Sequence, residues 1–288
     1  MSASADDGVR VMTWNLYQGT NFRELIAATL KDFPAALTTT RQNILATKPA
    51  ERAAAVAREI AKNRPDVVSL QEVMTLRKGT PQAPQATTIE FDVLKILLGE
   101  LSKLGPPYKA CVTVPGLDQE APSSLGFNVR IATGDAIIAR EPLCTFPVQV
   151  HQFTNPLTIT LASGLQITIP HGWASLDAVI RGQPLRFVIT HFDTPGFPDS
   201  LTVQEANARE LLQSAGDTIL PVVFAGDFNA TVDDPKDPSF RTYQIFINAM
   251  NGKFEDAWKK AHPNKPGFTC CQDQNLLNEA SKLTTGST

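Results

Sequence analysis

The sequence has no excess of positive charge and no apolar run long enough to cross a membrane. Its 288 residues include 26 lysines and arginines against 29 aspartates and glutamates, a net charge of −3. Proteins that bind nucleic acid tightly and without sequence preference usually carry a basic surface, so the charge balance argues against that class. A phosphate-bearing substrate remains compatible with this balance if a local site or a metal ion handles the phosphate.

Cysteine is also scarce, with four residues and no Cys-x-x-Cys pair, which argues against a structural zinc site. Cys270 and Cys271 are adjacent, and neighbouring residues fit disulfide geometry poorly. We therefore expect this pair either to bridge to distant cysteines or to remain as free buried thiols.

No signal peptide is present, but the segment Ala3-Ser4-Ala5 resembles the small-residue end of one. It predicts an exported protein, secreted or periplasmic. The alternative is a disordered polar tail over residues 1–8 of a soluble cytoplasmic protein. Residues 9–288 contain no repeat, linker or low-complexity segment, and they predict a single α+β domain that we expect to be monomeric.

Hydrophobic periodicity predicts strands alternating with helices along the chain. Leucines at helical spacing predict a helix over Ile89–Leu104, with Gly105 as its stop. Two stretches, Gly79–Thr88 and Pro115–Asn128, are predicted to be surface loops.

Four predicted strands end in polar side chains capable of chemistry: Asn15, Glu72, His191 and the pair Asp227 and Asn229. Positions two apart on a strand share a face, so Asp227 and Asn229 are expected to point into one cleft. A capped strand, a solvated glutamate or a core histidine explains any one of these ends alone. Four of them in one chain favour a common site.

These residue types suit one reaction. A glutamate with few aspartate neighbours offers a small oxygen site for Mg²⁺, and Mn²⁺ or Ca²⁺ are alternatives. Such an ion stabilises charge on a phosphoryl oxygen. Phosphoryl transfer otherwise needs mainly positioning and a water molecule in line with the leaving group.

The chain resembles the endonuclease/exonuclease/phosphatase superfamily, which includes pancreatic-type DNases, abasic-site endonucleases, sphingomyelinases and inositol-polyphosphate 5-phosphatases. The start Asn15–Gly19 is similar to a bacterial, often exported branch. The matching motifs, in the order of the family, are Val11–Asn15, Asp66–Val73, Gly134–Arg140, Ile189–Asp193 and Val223–Asn229.

The resemblance implies a DNase-like four-layer α/β/β/α sandwich, with two face-to-face, mainly antiparallel sheets flanked by helices. It also implies a Mg²⁺-dependent phosphoester hydrolase, either a phosphodiesterase or a phosphatase. Glu72 would bind the metal, with Asn15 helping to place metal and phosphate. His191 would donate to a phosphate oxygen, Asp227 would orient or deprotonate the attacking water, and Asn229 would stabilise the pentacovalent phosphate.

The chain departs from the family pattern at two places. Asp135 stands where many members have asparagine; it either helps to hold the metal or caps a turn, and we expect the cap. The Ser-Asp-His segment that closes the family pattern is not found after His262. Either the natural protein continues beyond residue 288, or the chain is a variant that has lost its last strands. The exposed strand edge of such a variant would be a liability, so we expect the first.

Two other functions are compatible with the sequence. One is a catalytically impaired scaffold that binds a phosphate-bearing ligand or a protein partner, and the other is a non-specific nuclease, which the acidic balance disfavours. The segments around the predicted cleft carry no diagnostic substrate pattern. His151, His171 and His262 are predicted to have structural or surface roles.

Overall fold

A computed structural model describes residues 8–277 apart from residues 84, 106, 250, 251 and 253. The segment Ala3-Ser4-Ala5 and all but the last residue of the predicted tail lie outside the described residues. None of the helices in these described ranges is long and apolar enough to span a bilayer.

Twelve strands and seven α-helices form the described part of the chain. The strands are β1 Val11–Asn15, β2 Val67–Gln71, β3 Thr75–Gly79, β4 Thr88–Asp92, β5 Tyr108–Pro122, β6 Asn128–Arg140, β7 Val148–Gln152, β8 Leu157–Thr160, β9 Gln166–Ile169, β10 Gly172–Ile180, β11 Gln183–His191 and β12 Val222–Asp227. The helices are α1 Arg23–Ala27, α2 Phe33–Ala46, α3 Pro49–Asn63, α4 Val93–Leu104, α5 Ser200–Ser214, α6 Phe240–Asn248 and α7 Ala257–Ala261, and a 3-10 helix spans Glu141–Thr145.

Two larger sheets face each other. The first has the order β1-β2-β6-β3-β4, with β5 also paired to β6, and the second has the order β12-β11-β10-β7. Apolar side chains from both sheets, including Val67, Ile137, Leu176 and Phe187, pack together in a buried cluster between them. The strands β8 and β9 form a separate hairpin.

Helices cover the outer face of each sheet. Ile44, Ile60 and Leu97, from α2, α3 and α4, pack with the first sheet, while Leu211 of α5 and Phe246 of α6 pack with the second. Burying such aliphatic and aromatic side chains stabilises the fold by about 1.5–3 kcal/mol each. The four-layer sandwich predicted from the sequence is therefore confirmed.

Two predictions of local structure are wrong in part. Residues 115–122 belong to β5, which pairs with β6 over most of its length, so this stretch is not a loop. The predicted helix over Ile89–Leu104 begins only at Val93, because residues 88–92 pair with β3 as β4. The Asp92 side chain caps the helix by accepting from the backbone N–H of Lys95 at 3.0 Å.

One disulfide joins Cys111 of β5 to Cys144 in the 3-10 helix that follows β6. Cys270 and Cys271 lie next to each other, and with Cys111 and Cys144 joined, neither has a distant cysteine to bridge to. The prediction that the adjacent pair bridges to distant partners is therefore wrong.

Candidate active site

The four polar strand ends converge where the two sheets meet. Parallel pairing places Asn15 opposite Gln71 and His191 opposite Asp227. Parallel strands end at the same edge of a sheet, and β1 contacts β12 across the two sheets. The side-chain Nδ2 of Asn15 donates to Glu72 Oε1 at 2.8 Å and to Asp227 Oδ2 at 2.9 Å. One amide therefore joins the two carboxylates.

Three residues of this region adopt the left-handed backbone conformation: Tyr17, Glu72 and Asn229, with φ of 57°, 56° and 47°. The conformation costs about 1–3 kcal/mol for a non-glycine residue and tends to occur at functional sites. Hydrogen bonds of the site hold each residue in place. Asn15 Oδ1 accepts from Tyr17 N at 2.8 Å, Glu72 Oε2 from Gln18 N at 2.6 Å, and Asp227 Oδ1 from Asn229 N at 3.0 Å.

Gly226 allows β12 to lie close to β11 just before Asp227. A Cβ atom at this position would lie 2.0 Å from the carbonyl oxygen of Thr190, a distance that no real side chain tolerates. Glycine is therefore required for the pairing that sets Asp227 opposite His191.

Asp135 lies beside His191. Its Oδ1 is 3.4 Å from His191 Nδ1, and it belongs to the middle of β6, so the prediction that it caps a turn is wrong. Burial alone would lower the pKa of His191, but the carboxylates of Asp135, Asp227 and Glu72 outweigh burial and raise it to about 10. In the metal-free protein these carboxylates therefore favour the protonated form of His191.

The carboxylates of the site carry more negative charge than His191 balances. Burial raises the pKa of Glu72, and the charge of Asp227 adds to it, while His191 and the hydrogen bonds from Gln18 and Asn15 act in the opposite direction. Within the described ranges, no lysine or arginine forms an ion pair with Glu72, Asp135 or Asp227, and Arg52 acts on Glu72 only from beyond ion-pair distance. The negative charge that remains fits a divalent cation.

A cation here would have few protein ligands. No group of three or more histidine, cysteine, aspartate and glutamate side chains has metal-binding geometry among the described residues. Mg²⁺ commonly takes only one or two carboxylates and fills its remaining positions with water and substrate phosphate. The donor set at Glu72 is compatible with that ion.

Asn229 is anchored through both its side chain and its backbone. Its Nδ2 donates to Phe192 O at 2.8 Å. This bond uses one N–H of the amide, and the amide has a second N–H. Its carbonyl oxygen accepts from Gln204 Nε2 at 3.0 Å, and the same Gln204 nitrogen donates to Asp193 O at 2.9 Å. The buried Gln204 of α5 therefore ties together the segments that follow β11 and β12.

The sequence did not identify Gln204, and it gave no sign that His171 lies at the site. The His171 ring lies 5.0 Å from the His191 ring, centroid to centroid, and the structural or surface role predicted for it stays a prediction. Antiparallel pairing of β10 with β11 brings the two together, and no local pattern in the sequence signals this register. The His151 ring stacks on Trp173, and the His262 ring lies against Trp258 at an interplanar angle of 57°.

The sequence matches a family profile over most of its length. The profile of the Endonuclease/Exonuclease/phosphatase family matches residues 12–271, a span that contains every predicted site residue. The resemblance seen in the sequence is thereby confirmed. No curated protein sequence matches the chain.

Several solved structures are similar to the chain. An endonuclease/exonuclease/phosphatase from Beutenbergia cavernae shares 19% identity over 87% of this chain, with a TM-score of 0.50, and supports the fold. The chain spans 55% of the length of that protein. A mannosyl-6-phosphatase from Bacteroides thetaiotaomicron is 16% identical, with coverage of 83% and 70% of the two chains and a TM-score of 0.42. The human Nocturnin catalytic domain is 19% identical, with coverage of 87% and 72% and a TM-score of 0.42.

Proposed function

Because the chain belongs to the endonuclease/exonuclease/phosphatase family, we propose that it hydrolyses a phosphate ester at the junction of its two sheets. The observation that carries this proposal is the double hydrogen bond from Asn15 to Glu72 and Asp227. It holds a buried carboxylate suited to a cation next to a second carboxylate that can act on water. Acid–base and electrostatic groups at this spacing are what phosphoryl transfer requires.

Each side chain has a role in the proposed reaction. Asp227 orients the attacking water and accepts its proton as the new bond to phosphorus forms. The bond from phosphorus to the leaving oxygen breaks in the same step, and the leaving group departs as an anion that takes its proton from solvent. His191, whose protonated form the surrounding carboxylates favour, donates a hydrogen bond to a phosphate oxygen. Asn229 offers its second side-chain N–H to the charge that develops in the transition state.

Asn15 separates the carboxylates and fixes their direction. Because its Oδ1 accepts from Tyr17 N, its Nδ2 is the atom turned towards Glu72 and Asp227. Like charges so close repel each other, and the shared donor offsets part of that repulsion. Asn15 thereby keeps both carboxylates in place.

Glu72 would hold Mg²⁺, with Asn15 beside it, and Mn²⁺ or Ca²⁺ are alternatives. When bound, the ion would neutralise negative charge on a phosphoryl oxygen. The negative charge that remains on Glu72, Asp135 and Asp227 supports this part of the proposal.

The Cys111–Cys144 disulfide supports an exported protein, secreted or periplasmic. Disulfides persist mainly in oxidising compartments and are rare in the cytosol of most organisms. Localisation of an epitope-tagged chain in fractionated host cells would test this, and a purely cytoplasmic pool would contradict it.

The activity is tested with the full chain on a substrate panel: bis-para-nitrophenyl phosphate, para-nitrophenyl phosphate, DNA, sphingomyelin and inositol phosphates. We expect Mg²⁺-stimulated hydrolysis of at least one, loss of it in EDTA and loss of it in Glu72→Ala. Glu255→Ala, at an exposed glutamate, is the matched control. Absence of hydrolysis across the panel, with phosphate-bearing ligands still bound, would favour the scaffold instead.

A further inference from the structure

Two histidine–aspartate pairs lie side by side in the site. The first pair is His191 with Asp135, and the second is His171 with Asp193, whose Oδ1 lies 3.5 Å from His171 Nε2. The two rings meet edge to face, with an interplanar angle of 63° and a centroid distance of 5.0 Å. The second pair has no part in the reaction proposed above.

The backbone fixes His171 in this position. Its carbonyl oxygen accepts from Phe153 N at 3.0 Å, and the carbonyl of the next residue, Gly172, accepts from Thr190 Oγ1 at 3.1 Å. A Cβ atom on Gly172 would lie 2.2 Å from His151 O, so glycine is needed for the close approach of β7. These contacts therefore hold His171, directly before β10, next to His191 with little freedom.

Asp193 is an unusual carboxylate for the interior. It is 2% exposed, and neither of its side-chain oxygens has a hydrogen-bond partner among the described residues. An ionisable group buried in this way costs free energy unless another group compensates it. The imidazole of His171 is the polar group that faces it, and the backbone of Asp193 is held by Gln204.

We propose that His171 is a positioning residue for His191 and that Asp193 acts through His171 by fixing the orientation of its ring. This inference rests on the proposed function, since it concerns the histidine that contacts the phosphate. The edge of an anchored His171 ring limits rotation of His191. His191 then keeps Nδ1 at Asp135 and leaves Nε2 for the substrate, as partners of metal-bound and catalytic histidines commonly do.

A double-mutant cycle on the full chain tests the inference with bis-para-nitrophenyl phosphate as the substrate. Asp193→Asn keeps the shape of the side chain, and His171→Phe keeps a ring but removes the nitrogen that faces Asp193. We expect each to lower kcat by about tenfold or more with KM changed by less than about twofold. Since Asp193 acts through His171, Asp193→Asn should have almost no further effect in the His171→Phe background.

The matched control is His151→Phe, the same replacement on the neighbouring strand, which should leave kcat unchanged. Additive effects of the two site variants on kcat, or a fall in thermal midpoint with kcat per folded molecule unchanged, would overturn the inference. If His171→Phe does not fold, Asp193→Asn alone tests the inference. A lower kcat with KM changed little supports it, and an unchanged kcat overturns it.

An NMR measurement that does not depend on catalytic activity separates this inference from the proposed function. In ¹⁵N-histidine-labelled protein, the ring nitrogen signals of His191 should shift in Asp193→Asn and stay in place in His151→Phe. Unchanged His191 signals in Asp193→Asn would overturn the inference even in an active enzyme. If wild-type protein hydrolyses no phosphate ester but these signals shift, the proposed function fails while the coupling of Asp193 to His191 stands.

Discussion

The side-chain Nδ2 of Asn15 lies 2.9 Å from Asp227 Oδ2, although 212 positions of the chain separate the two residues. This hydrogen bond connects the first strand of one sheet to the last described strand of the other. The same nitrogen donates to Glu72, so the position of both carboxylates depends on one small amide.

Replacing Asn15 by alanine should lower kcat by about 10²–10³, the cost typical of losing one aligned donor in a catalytic site. Glu72 and Asp227 then lose their shared donor and repel each other directly. Steady-state kinetics with bis-para-nitrophenyl phosphate measure the effect, with Asn155→Ala on an exposed turn as the control. A loss of less than about threefold would show that the amide bridge has no part in turnover.

Glu72→Gln should stabilise the protein at neutral pH while abolishing activity. The pKa of Glu72 is raised in the folded state, chiefly by burial, so ionisation of Glu72 costs stability wherever it is charged. On acidification the folded protein takes up this proton before the unfolded chain does, and the advantage of the glutamine variant shrinks. Urea unfolding in EDTA at pH 7.5 and at pH 4.5 measures the free energy of unfolding of both proteins. Glu72→Gln should be the more stable at pH 7.5, and the difference should be smaller at pH 4.5.

The control for that measurement is Glu255→Gln, at a glutamate paired with Lys260 on the surface. It should change the free energy of unfolding little at either pH. A Glu72→Gln variant that is less stable than wild type at pH 7.5 would contradict the burial argument.

His191 should make stability fall at alkaline pH. Its pKa is about 10 in the folded protein, against about 6.5 for an unperturbed histidine. A raised pKa contributes stability that is complete below about 6.5 and is lost as the pH rises through 10. In EDTA, the gap in thermal midpoint between wild type and His191→Gln should therefore be largest near pH 6 and close towards pH 10. A gap that stays constant over this range would contradict a raised pKa of His191 in the folded protein.

Gly226→Ala should lower both stability and activity. The added Cβ meets Thr190 O, so β12 must move away from β11, and overpacking of this kind costs about 1–3 kcal/mol. Gly99→Ala in α4 is the matched control, because a Cβ there meets nothing within 4 Å and alanine favours a helix. Chemical unfolding and kcat measured together check both effects. Equal stability of the two variants would contradict the close approach.

The sequence predicted the parts of the fold that local pattern controls. The strand ends at Asn15, Glu72, His191 and Asp227 follow short apolar runs with clear boundaries, and the structure brings these ends together. Whether they act as assigned stays a prediction. Residues 115–122 were misjudged because Pro115 and Gly116 suggest a loop, whereas pairing with β6 overrides that local preference.

Long-range register was beyond the sequence. His171 and Asp135 reach His191 only because β10 and β6 take particular positions in two different sheets, and no spacing along the chain encodes this. Gln204 reads as one polar residue in an amphipathic helix, and its role appears only once α5 packs under the segments after β11 and β12.

The most direct measurement is the turnover number of Asp227→Asn on bis-para-nitrophenyl phosphate in Mg²⁺, beside wild type and the exposed control Asp234→Asn. Asparagine keeps the shape of Asp227 but cannot accept a proton from water. We expect wild type and the control to turn over equally and Asp227→Asn to fall by about 10²-fold or more. Turnover of Asp227→Asn equal to that of wild type would contradict a hydrolytic centre at the junction of the sheets.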